Sequence, residues 1–247
     1  MKKVIIVVFI VSIILFQCTS NKVSVSSAKP GSSESYLRCM ARGTHLLEQK
    51  KYDEAIGELK QANALKPDSD KANNFLGIAY FMKKNFAEAA VYFQKALAIN
   101  PAYAAAIGNL GNVQFEAGEV NAAIETLSKG IATFADNVQL HFSLGNILLH
   151  KGELDQGFGH LKKVMELDPK YLEREKSFSL EASAGVLPRP EIFFRYARLY
   201  AATGNLEKTL EYLDKAKKTG FVDWERARLD DAFASLRDDP QVKKYLD

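Results

Sequence analysis

Small and apolar residues recur along the chain at two superimposed periods. Within segments of about 14 residues they fall three or four positions apart, as on one face of an α-helix. Over residues 36–171 the whole pattern repeats four times with a period of 34 residues. Four columns carry this repeat: Gly43, Gly77, Gly111 and Gly145; Ala55, Ala89, Ala123 and Gly157; Ala62, Ala96, Gly130 and Val164; Pro67, Pro101, Ala135 and Pro169. Such a period predicts an all-α chain of stacked helix pairs.

Physical chemistry gives each column a role. Helices this short are not stable alone in water, so they must bury their apolar faces against one another. The Gly and Ala columns are predicted to lie where two helices cross, because only small side chains let the backbones approach closely. Between the helices of a repeat, Gly118 and Gly152 can end the first helix in a left-handed conformation. Lys50 and Lys84 occupy the same place in the earlier copies.

These columns resemble the tetratricopeptide repeat, in which small residues stand at positions 8, 20 and 27 and proline near position 32. The second copy matches best, with Leu76, Gly77, Tyr80, Ala89, Phe93, Ala96 and Pro101. The family usually has tryptophan at position 4, and four other residues stand there: Cys39, Asn73, Ile107 and His141. The resemblance implies a right-handed α-solenoid of helix pairs over residues 36–171, which form four tandem repeats.

The register of the repeat breaks after Tyr171. Residues 172–189 match no column and are interpreted as an irregular insertion, either a loop or a partly helical segment. The pattern returns over residues 190–223 as a fifth, weaker copy, with Ala197 and Thr209 at the crossing positions. Residues 224–247 mix apolar and charged side chains, which suits helices that cap the last repeat, with Pro240 near a helix start. A separate peptide-binding tail is the alternative interpretation of this last segment.

The amino terminus has a different composition from the repeats. Two lysines precede an apolar run of about 13 residues that ends at Phe16, too short to span a hydrocarbon core of about 30 Å. Residues 1–17 are therefore typical of a secretory signal peptide. Cys18 follows directly, and the sequence LFQC resembles the lipobox of bacterial lipoproteins, although the family prefers a small residue where Gln17 stands. The resemblance implies lipidation of Cys18 (palmitate among the acyl chains), with signal cleavage alone, a retained anchor or a cytoplasmic protein as alternatives.

The serine-rich segment that follows, residues 18–35 with the lipidated cysteine, is predicted to be a flexible tether because it holds no periodic apolar pattern. Without residues 1–17 the chain has 31 basic and 30 acidic residues, a net charge of about +1. This balance leaves no basic surface for nucleic acid. Cys39 then has no cysteine partner, so we interpret it as a small buried thiol.

The chain contains none of the common catalytic or nucleotide-binding motifs, and we expect neither catalysis nor a cofactor. Four histidines are the only candidates for a metal site: His45, His141, His150 and His160. His141 stands at the packing position of its repeat. The alternative to a binding protein is an enzyme or metal protein that uses the 172–189 insertion together with these histidines.

Asparagine is unfavourable inside helices, yet several asparagines fall inside the first helices of the repeats. In the tetratricopeptide family, positions 2, 5, 9 and 12 of those helices line a concave groove. The candidate groove residues here are Lys71, Asn74, Phe81, Asn109, Asn112, Phe115, Phe142 and Asn146. Amides beside exposed aromatic rings suit an extended peptide, and Asn109 and Asn112 resemble the asparagine ladder of some peptide-binding members. Alternatively, the asparagines bond to a neighbouring loop or are merely tolerated.

One subtype of the family can be set aside. Chaperone-binding members hold a terminal carboxylate with a clamp of lysine, asparagine and arginine, and that clamp is missing here. The sequence therefore favours a lipid-anchored adaptor of the bacterial cell envelope, at the outer rather than the inner membrane, with its folded part in the periplasm or at the surface. Its partner would be an extended segment of another envelope protein.

Overall fold

The computed structural model describes residues 32–174 and 189–246, and most of them are helical. Cys18, most of the predicted tether and residues 175–188 of the insertion lie outside the described residues. The described residues form two compact units, divided after Ser143. No helix among them is both long and apolar enough to cross a membrane.

The first unit consists of helix pairs in the predicted register. Its six complete helices are α1 (Ser32–Glu48), α2 (Tyr52–Leu65), α3 (Asp70–Met82), α4 (Phe86–Ile99), α5 (Ala104–Glu116) and α6 (Val120–Thr133). Helices α1 and α2, α3 and α4, and α5 and α6 pack together as pairs. Helix α7 (Val138–Lys151) begins in this unit and ends in the second. The prediction of an all-α chain of consecutive helix pairs is confirmed.

Helix α1 begins at Ser32, so the last four residues of the predicted tether are helical. Residues 32–35 belong to its first turn, where Glu34 favours the positive end of the helix dipole. Tyr36 also holds this end of the helix, because its hydroxyl lies 2.7 Å from Ser69 Oγ at the start of α3. The serine-rich composition of this segment therefore did not exclude helix formation.

The turns inside the repeats have the left-handed geometry that the sequence predicted. The φ angles are 61° at Lys50 and Lys84, 86° at Gly118 and 92° at Gly152. Hydrogen bonds close each turn; in the second repeat the Lys84 N–H donates to the Phe81 carbonyl at 2.7 Å. These bonds satisfy carbonyl groups at the end of the first helix.

The glycine column lies at the closest crossing of each pair. A methyl group added at Gly77 would lie 2.6 Å from a ring carbon of Phe93. Gly43 and Gly111 meet Leu59 and Leu127 in the same way, also at 2.6 Å. All three apolar partners are fully buried, so the small and large columns of the sequence fit into each other.

The second unit completes α7 and adds the rest of the described chain. Its elements are α8 (Leu154–Leu167), α9 (Tyr171–Arg174), α10 (Arg189–Ala202), α11 (Leu206–Lys218), α12 (Trp224–Leu229), a 3-10 turn (Asp231–Phe233) and α13 (Pro240–Leu246). Helices α10 and α11 pack together in the place of the predicted fifth repeat. Phe194 of α10 stacks on Phe221 at 4.3 Å and on Phe233 at 6.0 Å between ring centroids, so apolar rings hold the last segment against α10.

Candidate functional site

The eight predicted groove residues differ in burial. Lys71 is exposed, and Phe115 and Asn146 are half-buried. The other five are buried: Asn74, Phe81, Asn109, Asn112 and Phe142. Four of these buried or half-buried residues carry amides.

Hydrogen bonding links the amides of two neighbouring repeats. Asn109 Nδ2 on α5 donates to Asn74 Oδ1 on α3 at 3.0 Å. The observed bond thus joins Asn109 to the preceding repeat, and Asn112 lies one helical turn further along α5. Among the described residues, Asn74 Nδ2 and Asn112 Oδ1 have no hydrogen-bond partner. Each such buried group without a partner costs about 1–3 kcal/mol, so this face retains unsatisfied hydrogen-bonding capacity.

The expectation of exposed aromatic rings is wrong for two of the three phenylalanines. Phe81 is 6% exposed and Phe142 is 1% exposed. Phe81 belongs to the core of the first unit, where its ring centroid lies 5.8 Å from that of Phe86. Burial of a ring removes a large apolar area from water, which stabilises the fold. These two rings therefore pack in the interior and not on a binding surface. Phe115 is the ring of the three that keeps partial exposure.

The face between α3 and α5 is mainly uncharged, with Lys71 as the exposed charged candidate in the first turn of α3. Ile78 lies one turn after Asn74 on α3 and is buried. A carboxyl group stands at the end of α5, where burial raises the pKa of Glu116 and the nearby Lys84 ammonium acts in the opposite direction. The arrangement can therefore offer neutral hydrogen-bond donors and acceptors rather than a strong charge.

His141 and His45 are in different environments. His141 is buried at its packing position, with Nε2 lying 2.9 Å from the Ala135 carbonyl oxygen. His45 is exposed, and its Nδ1 lies 3.6 Å from a carboxylate oxygen of Glu48. Within residues 32–174 and 189–246, no group of three or more His, Cys, Asp or Glu side chains could hold a metal ion.

Sequence reasoning missed a cleft in the second unit. It has a volume of about 880 Å³ and lies among α8, α10 and the segment from Leu229 to Ser235. Arg195 and Arg198 of α10 line it, together with Lys162 of α8. Two arginines three residues apart on a predicted helix were the signal that could have indicated it.

Comparison with known proteins agrees with the repeat pattern. Models of the tetratricopeptide repeat match residues 40–104 and 80–144. The structure of PilF from Pseudomonas aeruginosa superposes with a TM-score of 0.55 at 17% identity, over 87% of this chain and 90% of that one. The protein TTC0263 from Thermus thermophilus superposes with a TM-score of 0.51 at 20% identity, over 81% and 97%.

Among curated proteins, the anaphase-promoting complex subunit CDC16 of Saccharomyces cerevisiae is 25% identical in an alignment 163 residues long, which covers 59% of this chain. Superkiller protein 3 of Schizosaccharomyces pombe is 24% identical over 141 residues, or 57% of this chain. These matches span only 19% and 9% of those longer proteins. Residues 40–144 therefore consist of tetratricopeptide repeats. The fold supports an adaptor role in protein–protein interaction, and scaffolds of this family are typically non-catalytic.

Proposed function

We propose that the protein is a non-enzymatic, lipid-anchored adaptor of the bacterial envelope that holds an extended segment of another envelope protein. The observation that carries the binding proposal is the set of buried amides between α3 and α5. Asn74 Nδ2 is a donor and Asn112 Oδ1 is an acceptor, and neither has a partner among the described residues. An extended peptide offers both a carbonyl and an N–H along its backbone, so it complements this pair.

Both amide atoms are buried, and this limits how a partner can reach them. A peptide can bond to them only when α3 and α5 move apart and expose the face between them. Once made, hydrogen bonds in these apolar surroundings are stronger than bonds in water. The neutral face also favours segments whose central side chains carry no charge, because a buried charge needs a partner.

Anchoring rests on the amino-terminal sequence. A basic and apolar leader ends in LFQC, so the lipobox resemblance supports a lipid on Cys18. The serine-rich residues after it would separate the repeats from the membrane surface. An adaptor tethered in this way meets partners in the same membrane at high effective concentration.

Crosslinked capture of partners from the native membranes tests the binding site. We expect the variant Asn112→Ala to capture about threefold less partner, because one hydrogen bond of roughly 0.5–1.5 kcal/mol is lost. The matched control is Gln94→Ala, which removes an exposed amide from a second helix. Undiminished capture by an Asn112→Ala variant of normal helicity would place the binding site elsewhere.

A further inference from the structure

Three elements of different chemistry line the cleft of the second unit. Helix α10 contributes Arg195, Arg198 and Leu199. Helix α8 contributes Phe158, whose ring centroid lies 5.7 Å from the Arg195 guanidinium. The segment from Leu229 to Ser235 contributes Leu229, which is 70% exposed although it is a large apolar side chain. The cleft therefore combines guanidinium groups with exposed apolar surface.

Well-shielded carboxylates hold both arginines in place. Arg195 Nε donates to Glu191 Oε1 at 3.0 Å, and the Glu191 side chain is 22% exposed. Arg198 pairs with Asp230, whose side chain is 12% exposed. Asp230 Oδ1 also accepts from the Ala232 N–H at 3.0 Å, which fixes it at the start of the 3-10 turn. These carboxylates orient the guanidinium groups toward the cleft and are not easily displaced.

Asp155 is bound differently. Its carboxylate accepts from Arg195 Nη1 at 2.6 Å, yet its side chain is 91% exposed. Released Asp155 is well solvated, whereas the Arg195 side chain is 17% exposed and still keeps Glu191 as a partner. Asp155 can therefore leave Arg195 at small cost, and another carboxylate can take its place.

We propose that this cleft binds an acidic residue of a partner peptide, whose carboxylate replaces Asp155 at Arg195. Apolar side chains on either side of that residue would lie against Phe158 and Leu229, where they cover exposed apolar surface. Lys162 of α8 is the third cation in the lining, and its ammonium lies 3.9 Å from a carboxylate oxygen of Glu166. Asp231, which also lines the cleft, repels further carboxylates, so the ligand is a single acidic residue flanked by apolar ones. This site is independent of the one proposed between α3 and α5.

A peptide titration followed by NMR tests the proposal on the full chain in detergent micelles. The probe is the peptide acetyl-ALELA-amide, which carries one carboxylate between leucines, and its control is acetyl-ALQLA-amide. We expect the first peptide to shift the Nε–Hε signals of Arg195 and Arg198, and the second to leave them unchanged. Equal shifts with both peptides would overturn recognition of a carboxylate. No shift at about 10 mM peptide, a concentration that detects very weak binding, would overturn the site itself.

Substitution of Asp155 gives the sharper test, since it removes a competitor. Asp155→Asn should tighten binding of acetyl-ALELA-amide about threefold, because the exposed carboxylate that competes for Arg195 is removed. Asp214→Asn is the control, because Asp214 is ion-paired to Lys218 at 2.6 Å outside the cleft. Arg195→Gln should abolish the response while the backbone amide spectrum stays that of a folded chain. Weaker binding by Asp155→Asn would show that Asp155 supports the ligand, which contradicts the proposal.

Discussion

Two turns inside the repeats place lysine where the backbone favours glycine. Lys50 and Lys84 have φ angles of 61°, a region that L-residues adopt only with strain. We expect Lys50→Gly to raise the free energy of unfolding by about 0.5–1 kcal/mol, since relief of strain exceeds the added flexibility of the unfolded chain. Gly118→Ala, at the same place in the third repeat, should lower it by about 1 kcal/mol. Urea unfolding followed by circular dichroism measures both, and a loss of stability in Lys50→Gly would contradict the assignment of strain.

Because of Tyr212, the free energy of unfolding of the second unit should fall as the pH becomes alkaline. Burial raises the pKa of Tyr212 to about 12, from the ordinary value of 10.0. The folded state therefore keeps the phenol proton at a pH where the unfolded chain has lost it. This contribution is complete below pH 10, and it is lost as the pH rises toward 12.

The comparison of wild type with Tyr212→Phe isolates this effect from lysine titration. Phenylalanine keeps the ring that stacks on Tyr200 at 5.5 Å but has no proton to lose. We expect the free energy of unfolding of wild type to fall more steeply than that of Tyr212→Phe between pH 10 and pH 12. Parallel pH profiles in denaturant unfolding would show that the phenol titrates equally in both states.

At the scale of helices, a change from glycine to alanine should have opposite effects at a helix crossing and away from one. Gly77→Ala would bring a methyl group to 2.6 Å from the buried Phe93 ring, so we expect a loss of about 1–3 kcal/mol. Gly57 lies inside α2 with nothing within 4 Å of an added methyl group. Gly57→Ala should therefore gain about 0.5–1 kcal/mol from better helix propensity. The two melting temperatures check the register, and shifts of equal sign would contradict it.

The sequence predicted the helix pairs because their signals are local or strictly periodic. A glycine at a crossing and a left-handed turn each leave a fixed column, as Gly77 and Gly118 show. The burial of Phe81 left no such mark, since a ring at that helical position can face either the groove or the core. The two arginines of α10 were a local signal for the cleft, but its other side could not be predicted, because Arg195 meets Asp155 across 40 residues of chain. The same holds for the start of α1, where Tyr36 reaches Ser69 across 33 residues.

At the scale of the whole molecule, the proposal joins a membrane anchor to two binding sites of unlike chemistry. The amides between α3 and α5 are neutral, whereas the cleft at Arg195 is charged and partly exposed. Salt screens charges near the surface and has little effect on buried neutral hydrogen bonds. We expect added salt, at about 0.5 M, to release partners held at the cleft and to retain those held by Asn112. The measurement is the amount of captured protein that elutes at each salt concentration, without crosslinking. It is made for wild type and for Asp155→Asn.

Anchoring by lipid predicts a change in the distribution of the protein between water and detergent. The lipoprotein resemblance implies several acyl chains on Cys18, and each buried methylene contributes about 0.8 kcal/mol, so multiple chains hold far more firmly than one. Wild type should enter the detergent phase in Triton X-114 partition. If the leader is removed from Cys18→Ala, this variant should move to the aqueous phase. If the leader is kept, the variant should lose labelling by radioactive palmitate. Cys39→Ala is the control, because the Cys39 thiol is buried inside α1 and should affect neither result. Equal palmitate labelling and partition of wild type and Cys18→Ala would contradict lipidation and leave the apolar leader as the remaining anchor.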